Sequence, residues 1–105
     1  MEKVPFKAEV EQVGKTAVLH IFGEINGAAD AELAAAYTQA AQANPTAITL
    51  DFKKVDYINS TGIALIVGLL AQARAARCPL TAVGLSDHYR EIFTITRLSD
   101  FMEIK

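Results

Sequence analysis

The chain has 105 residues, of which 51% are hydrophobic and 21% are charged, and its formal net charge is −2. This length fits one domain, and the apolar content supplies a core without disulfide or metal crosslinks. The ten basic residues are scattered, which excludes the clustered Lys and Arg that nucleic-acid and anionic-membrane binders carry. We therefore expect one domain over residues 1–105 and no nucleic-acid partner.

Cysteine content and the N-terminal sequence bear on the cellular compartment. The single cysteine, Cys78, is too few for an internal disulfide framework or a Cys-rich zinc site, and we interpret it as a small buried hydrophobic residue. Residues 1–10 lack the apolar stretch of a signal peptide. Apolar stretches elsewhere are shorter than the ~20 residues of a membrane span. We expect a cytoplasmic protein without direct membrane insertion.

The first half of the chain predicts two strands and a helix. Residues 6–11 alternate apolar and charged side chains, which is typical of a strand with one solvent-exposed face. Residues 16–22 are apolar nearly throughout and fit a more central strand. His20 lies in the second strand without a metal-spaced neighbour, so we expect a hydrogen-bonded structural residue. An Ala-rich helix follows over residues 28–43, with Asn26 as its N-cap.

The second half continues the alternation of strands and helices. The remaining predicted features are a strand at residues 47–52, a helix at about 61–76, a strand at 80–84, a helix capped by Ser86, and a short strand near 102–104. The order is β-β-α-β-α-β-α-β, which implies right-handed crossovers. We predict a single α/β domain with a mixed, largely parallel sheet and helices packed on it.

The helix around residues 62–71 is apolar on every side. At helical spacing, the side chains expected to share the face on the sheet are Ile63, Ile66, Val67 and Leu70. Leu65 and Leu69 then point away and form an outward ridge. Such a ridge is either covered by the same chain or is a partner surface, and in so small a domain we favour the partner surface.

Ser60 is the predicted N-cap of this helix, with its hydroxyl accepting a hydrogen bond from the first turn. The positive end of a helix also tolerates an anion, so phosphorylation there need not unfold the domain. A phosphate adds about two negative charges, which oppose docking of a partner by repulsion and desolvation. The pattern therefore predicts a surface that phosphorylation turns off while the fold is retained.

Three segments of the chain resemble the STAS domain family, in its bacterial anti-sigma-factor antagonist type. Residues 50–52 and 55–63 are similar to the family signature, in which an apolar strand leads to Asp-Ser-Ser/Thr-Gly and a helix. Residues 22–26 resemble its Gly-Glu-Leu/Ile-Asp turn, and residues 86–104 resemble its last helix and closing segment. The three matches occur in the right order over most of the chain.

The resemblance implies a protein that binds an anti-sigma factor, a serine kinase of histidine-kinase-like fold, and thereby frees the sigma factor. It places the phosphoacceptor on Ser60, with Thr61 as the second candidate, and a phosphatase restores the free serine. The sequence leaves a homodimer open as a further assembly, and no cofactor or metal is expected. Together with the outward ridge, the expected partner-binding residues are Asn26, Asn59, Ser60, Thr61, Gly62, Leu65 and Leu69.

Asn59 and Asn26 stand where the signature and the upstream turn of the family carry an acid. Both amides keep the size and the hydrogen bonding of the acid but remove its charge. This departure supports an alternative reading, in which the chain is a STAS scaffold, or a subunit of a transporter or of a stressosome-like complex. Such a protein uses the same surface without phosphorylation.

An enzyme or a nucleotide binder is the third class considered. The sequence has no GxxxxGK[ST] or GxGxxG phosphate loop, and only His20 and His88 are available for a nucleophile–base arrangement. We expect His88 to be solvated, and we interpret Asp51 and Asp56 as solvated carboxylates beside a turn. The chain is therefore not expected to be an enzyme, and it has no predicted catalytic residue.

Overall fold

The computed structural model describes residues 6–105. Residues 1–5, on which the expectation of no signal peptide partly rests, lie outside this described range. The strands are β1 (Lys7–Val13), β2 (Thr16–Ile25), β3 (Ala47–Ile58), β4 (Leu80–Val83) and β5 (Glu103–Ile104). The helices are α1 (Asp30–Gln42), α2 (Ser60–Ala75) and α3 (Asp87–Ile95), with short 3₁₀ helices at Gly27–Ala29 and Leu98–Asp100.

The strands form one sheet in the order β1-β2-β3-β4-β5. β1 and β2 are antiparallel and are joined at Gly14, whose φ of 62° suits a tight turn, while all other pairs are parallel. The predicted element order and the mixed, largely parallel sheet are confirmed. β3 is longer than predicted and continues to Ile58, because its pairing with β2 extends to the Ile25–Ile58 pair.

The core lies between one face of the sheet and the helices. In β2 every second residue is buried, and Leu19 pairs with Leu50 of β3 at the centre, both with no exposed surface. α3 begins at its predicted cap, since the Ser86 hydroxyl accepts a hydrogen bond from the Tyr89 N–H. Phe93 of the same helix is completely buried, and its ring packs edge-to-face against the ring of Phe52 in β3. The contact of Phe93 with Phe52 packs α3 against β3.

The opposite face of the sheet carries a cluster around His20. Its Nδ1 lies 2.9 Å from an Asp51 carboxylate oxygen and its Nε2 lies 2.8 Å from a Glu11 oxygen, so the predicted hydrogen-bonded structural role is confirmed. The prediction for Asp51 is wrong, because this side chain is buried and also accepts a hydrogen bond from the Lys53 N–H. A register shift in the β2–β3 ladder begins beside this pair, a distortion that strand periodicity does not reveal. Asp56 is exposed, as expected.

The three α-helices are each followed by a residue in the left-handed region. These residues are Asn44 (φ 50°), Arg77 (φ 56°) and Arg97 (φ 65°). After α2, the Cys78 N–H donates to the Ala73 carbonyl at 2.8 Å, which is the closure usually made around a glycine. An arginine in this conformation costs roughly 1–2 kcal/mol, whereas asparagine adopts it readily.

Cys78 is half-buried, with its Sγ 3.7 Å from the Pro45 carbonyl oxygen. Burial raises the pKa of the thiol. Within residues 6–105 no group of three or more His, Cys, Asp and Glu side chains is arranged to hold a metal ion. In the same range, none of the helices combines the length and the apolar character needed to cross a bilayer.

Candidate functional site

The carboxyl ends of β2 and β3 bring two asparagines together. Ile25 and Ile58 pair as the last residues of their strands, and Asn26 and Asn59 follow them directly. The Asn59 N–H donates to the Ile25 carbonyl oxygen at 3.2 Å, which joins the two strand ends beyond the last pair. Two segments that are far apart in sequence therefore meet at one edge of the sheet.

Asn59 is the N-cap of α2. Its backbone is extended (φ −88°, ψ −179°), and its Oδ1 accepts a hydrogen bond from the Gly62 N–H at 2.8 Å. This contact satisfies one of the N–H groups that the first turn of a helix leaves without a partner. The amide thus performs a capping role for which the negative charge of an acid is not required.

The prediction that Ser60 is the N-cap is wrong. Ser60 is the first residue of α2, its side chain is exposed, and its hydroxyl has no hydrogen-bond partner among residues 6–105. Asparagine and serine are comparably good caps, and the choice is decided by the backbone. Because β3 pairs through Ile58, Asn59 is the residue left in the extended conformation that a cap requires.

Asn26 has an equivalent role at the end of β2. Its Oδ1 accepts a hydrogen bond from the Ala28 N–H at 2.9 Å, and its Nδ2 donates to a Glu24 carboxylate oxygen at 2.9 Å. Asn26 is therefore a cap, as predicted, but it caps the 3₁₀ helix Gly27–Ala29 that precedes α1. This holds the turn after β2 beside the start of α2.

Gly62 permits the close approach of α2 to β2. A Cβ atom added at this position would lie 2.1 Å from the Ile25 carbonyl oxygen, a distance that no real contact allows. The neighbouring Thr61 is exposed, and its Cγ2 would be 3.5 Å from a Cβ added at Gly27. The first turn of α2 is therefore pressed against the end of β2, with Ser60 and Thr61 on its outer side.

The prediction for the two faces of α2 is partly wrong. Leu69, expected in the outward ridge, is 3% exposed, and Val67, expected on the sheet, is 44% exposed. The buried stripe of α2 consists of Gly62, Ile66, Leu69, Leu70 and Ala73. α2 packs against α1 as well as against the sheet, and for this reason the buried side of the helix includes Leu69 and leaves out Val67. Leu65 is half-buried at a groove of about 140 Å³ between α1 and α2.

Tyr57 is a surface residue that sequence reasoning did not assign to the site. Its ring is 51% exposed, and it lies two residues before Asn59. Strand alternation carries the signal, because a buried Ile58 requires Tyr57 to face away from the core. An exposed tyrosine beside a helix start supplies the rigid aromatic area that protein interfaces favour.

The start of α2 is electrostatically suited to an anion. The backbone N–H groups of Ser60 and Thr61 have no acceptor among residues 6–105, whereas the Gly62 N–H is taken by Asn59. Free N–H groups and the positive end of the helix dipole both stabilise negative charge at this point. The site therefore combines an exposed hydroxyl, unpaired donors and nearby apolar surface.

Comparison with known proteins identifies the family. The sequence profile described as "Mlab, STAS domain" matches residues 8–103. The chain belongs to the STAS domain family. This STAS domain is 32% identical over 82 residues to the anti-sigma-B factor antagonist of Staphylococcus aureus, covering 78% of this chain and 76% of that relative. The predicted family resemblance is confirmed.

Two further comparisons set the extent of the likeness. The STAS domain is 40% identical over 58 residues to the anti-sigma-B factor antagonist of Listeria monocytogenes, covering 55% of this chain. The match covers 51% of the Listeria protein, so the chain spans about half the length of this relative. The Bacillus cell fate determinant SpoIIAA in its phosphorylated form superimposes with a TM-score of 0.72 at 24% identity, covering 94% of this chain and 91% of that chain. At that identity the structural likeness shows the shared fold.

Proposed function

We propose that this STAS domain is an anti-sigma-factor antagonist that binds a serine-kinase anti-sigma factor and is released when Ser60 is phosphorylated. The observation that carries the proposal is the exposed, unbonded hydroxyl of Ser60 at the start of α2. The relatives from Listeria and Staphylococcus bear the name anti-sigma-B factor antagonist, which supports the role. The proposed partner is cytoplasmic, and a phosphatase completes the cycle.

A phosphate on Ser60 is compatible with the fold. The hydroxyl supports no hydrogen bond within residues 6–105, so its modification breaks none, and the N–H groups of Ser60 and Thr61 are available to the phosphate oxygens. The cap at Asn59 stays in place because it uses a different side chain. The modified domain is therefore expected to remain folded.

The same phosphate opposes docking of the partner. It adds about two negative charges beside exposed surface that includes Tyr57, and these charges must lose water when a partner covers them. Leu65, which follows Thr61 by about one helical turn, lies within reach of the same interface. Asn59 carries no charge to repel the phosphate, so the amide does not disfavour the modified state.

The test combines mass spectrometry with a binding measurement. The purified domain is incubated with ATP and the candidate anti-sigma kinase, and intact mass and peptide mapping locate any added phosphate. We expect a gain of about 80 Da, the mass of a phosphate group, on Ser60. Ser60→Ala abolishes the gain, and Thr61→Ala, the matched control, retains it.

Binding of the kinase is then measured by calorimetry for the unmodified and the phosphorylated domain. The proposal requires that phosphate on Ser60 weakens binding by at least about tenfold, equivalent to 1.4 kcal/mol, with unchanged circular dichroism. Phosphate on another residue, or equal binding by both forms, contradicts it.

A second candidate function is a constitutive subunit of a larger complex. The observation that favours it is the pair Asn26 and Asn59, which replaces two acids of the family pattern while keeping both caps. The profile that matches the chain also carries the description Mlab. A stable complex that forms equally with and without ATP, and leaves Ser60 unmodified, would support this candidate over the antagonist.

A further inference from the structure

Arginine side chains gather around Phe101 at the end of α2 that is remote from Ser60. The ring of Phe101 is 50% exposed, and the Arg74 guanidinium carbon lies 4.5 Å from its centroid. Arg74 follows Ser60 by fourteen residues of helix, which corresponds to about 21 Å. This surface is therefore separate from the site proposed above.

Two open grooves flank this stacked pair. One of about 280 Å³ has an apolar floor at Leu70 and Leu80 and is bordered by Arg74, Arg77 and Phe101. The other, of about 260 Å³, runs between α2 and the segment after α3. Its lining includes Val67, Leu70, Leu98, Arg74, Arg97 and Phe101. We call the two grooves and their arginines the arginine surface.

Neither groove has an acidic residue in its lining. Asp100 lies at the edge and pairs through one carboxylate oxygen with Arg97 Nε at 2.9 Å, which leaves the other guanidinium nitrogens of Arg97 free of partners among residues 6–105. Glu103 pairs with Lys105 at 3.6 Å. In a chain of net charge −2, this surface is locally cationic.

Backbone conformation provides an independent observation. Arg77 and Arg97 both have positive φ, at helix ends where glycine is the usual residue. Strained backbone of this kind persists where the surrounding structure holds it in place, and it is concentrated at functional sites. Both strained arginines border the arginine surface, whereas the helix end outside it, after α1, carries the well-tolerated Asn44.

We propose that the arginine surface binds an acidic amphipathic helix of a partner protein. Apolar side chains of that helix would enter the two grooves on either side of Phe101, and its carboxylates would pair with Arg74, Arg77 and Arg97. A helix presents apolar and acidic side chains in alternation along its length, and two separate apolar grooves bordered by arginines match this pattern better than they match the continuous face of a lipid bilayer. The distance from Ser60 permits both partners to bind at once.

The test uses a synthetic helix of about 16 residues, roughly 24 Å long, with leucines on one face and glutamates on the other. Its control has lysine at every glutamate position. Peptide is titrated into the ¹⁵N-labelled domain and amide shifts are followed by NMR. We expect the acidic peptide to shift amides at residues 67–78 and 95–101 and the basic peptide to shift none of them.

Variants then separate charge from fold. Arg77→Gly and Arg97→Gly each place glycine at a position of positive φ, so each variant should be at least as stable as the wild type. The double variant should nevertheless bind the acidic peptide about tenfold more weakly, because it lacks two of the three arginines. Asn44→Gly makes the same backbone change outside the grooves and should bind normally. Ser60→Glu should also bind normally, which keeps this result independent of the antagonist role.

Three outcomes would overturn the proposal. The first is that the basic peptide causes the same amide shifts as the acidic peptide. The second is that the double arginine variant binds the acidic peptide as tightly as the wild type. The third is that the domain does not bind the acidic peptide but sediments with phosphatidylglycerol vesicles. The last outcome would assign the surface to lipid. Added salt should weaken the peptide interaction, since it depends on exposed charge pairs.

Discussion

The hydroxyl oxygen of Tyr89 accepts a hydrogen bond from the backbone N–H of Ile58 at 2.8 Å. Both residues are buried, and Ile58 is the last residue of β3 before the cap at Asn59. α3 thereby holds the strand end from which the loop to Ser60 departs. A side chain from the last third of the chain thus fixes the position of the candidate phosphoacceptor.

Tyr89→Phe should lower the free energy of unfolding by about 1–3 kcal/mol, because it leaves the buried Ile58 N–H without an acceptor. Urea denaturation followed by circular dichroism measures the change. Tyr57→Phe is the matched control, since its hydroxyl is on an exposed ring, and it should unfold at the wild-type midpoint. Equal midpoints for the two variants would contradict the role of Tyr89.

Gly62→Ala should be strongly destabilising, because its Cβ would lie 2.1 Å from the Ile25 carbonyl oxygen. We expect the cost to exceed about 3 kcal/mol, the range of severe core changes. Gly68→Ala is the control in the same helix, where an added Cβ meets nothing within 4 Å. That change should stabilise the domain by up to about 1 kcal/mol through helix propensity. Thermal unfolding of both variants checks the contrast.

Asn59→Ala should cost about 1 kcal/mol through loss of the cap of α2. Asn59→Asp should keep wild-type stability or raise it, because a carboxylate accepts the same Gly62 N–H and favours the positive helix end. Ser60→Ala should change stability by less than about 0.5 kcal/mol, as expected for a surface position. Urea midpoints that fall more for Ser60→Ala than for Asn59→Ala would refute this assignment.

Leu65→Asp should prevent binding of the proposed kinase partner, because it places a charge at the edge of the apolar groove between α1 and α2. Val67→Asp serves as the control, since Val67 is more exposed and lies on another side of the same helix. We expect both variants to have wild-type circular dichroism and only Val67→Asp to bind in calorimetry. Normal binding by Leu65→Asp would remove this groove edge from the interface.

Stability should depend on pH through His20. Hydrogen bonds to Glu11 and then to Asp51 raise the pKa of His20 above its ordinary 6.5. The stabilisation is therefore complete below about pH 6.5 and is lost as pH rises through the folded-state pKa. Burial acts to raise the pKa of Asp51, but hydrogen bonds from the Lys53 N–H and from His20 bring it below its ordinary 3.8. That contribution is lost in acid, as pH falls through the folded-state pKa.

Urea midpoints measured between about pH 5 and pH 8 test the effect of His20, in the range where histidine changes charge. We expect the midpoint to fall over this range in the wild type and the fall to be smaller in His20→Gln. His88→Gln is the control, because His88 is exposed and belongs to a different element, and it should retain the full slope. Glu9, opposite His20 on β1, and Lys53 also face the cluster and contribute to its local field.

The periodicity of the sequence was sufficient to predict the order of strands and helices, because each strand and helix has a clear pattern or a clear breaker. The face of α2 was not predictable, since a helix that is apolar all round has no preferred side until a neighbour packs on it. α1 decides that Leu69 is buried and Val67 is not. Leu65 remains a predicted contact on the strength of its groove.

The other two errors arise from contacts distant in sequence. The N-cap of α2 is Asn59 and not the predicted Ser60, because β3 pairs with β2 as far as Ile58. Local propensity does not distinguish the two residues, since asparagine and serine are comparably good caps. The burial of the Asp51 carboxylate is compensated by a hydrogen bond with His20 of the neighbouring strand, a partner 31 residues away in the sequence. The position of the cap and the partner of Asp51 both depend on the register between β2 and β3. The local sequence of one strand does not determine that register, because it is set by the packing of the paired strands.

The first turn of α2 is capped by Asn59, and the Ser60 hydroxyl beside it makes no hydrogen bond within the described residues. Position 60 is thus open to exchange among serine, threonine, alanine and acidic residues at little cost to the domain. The proposed phosphoacceptor can therefore be gained or lost by one substitution, without an unstable intermediate that selection would remove. The proposed switched form of this domain and an unswitched form are thus one mutational step apart at this position.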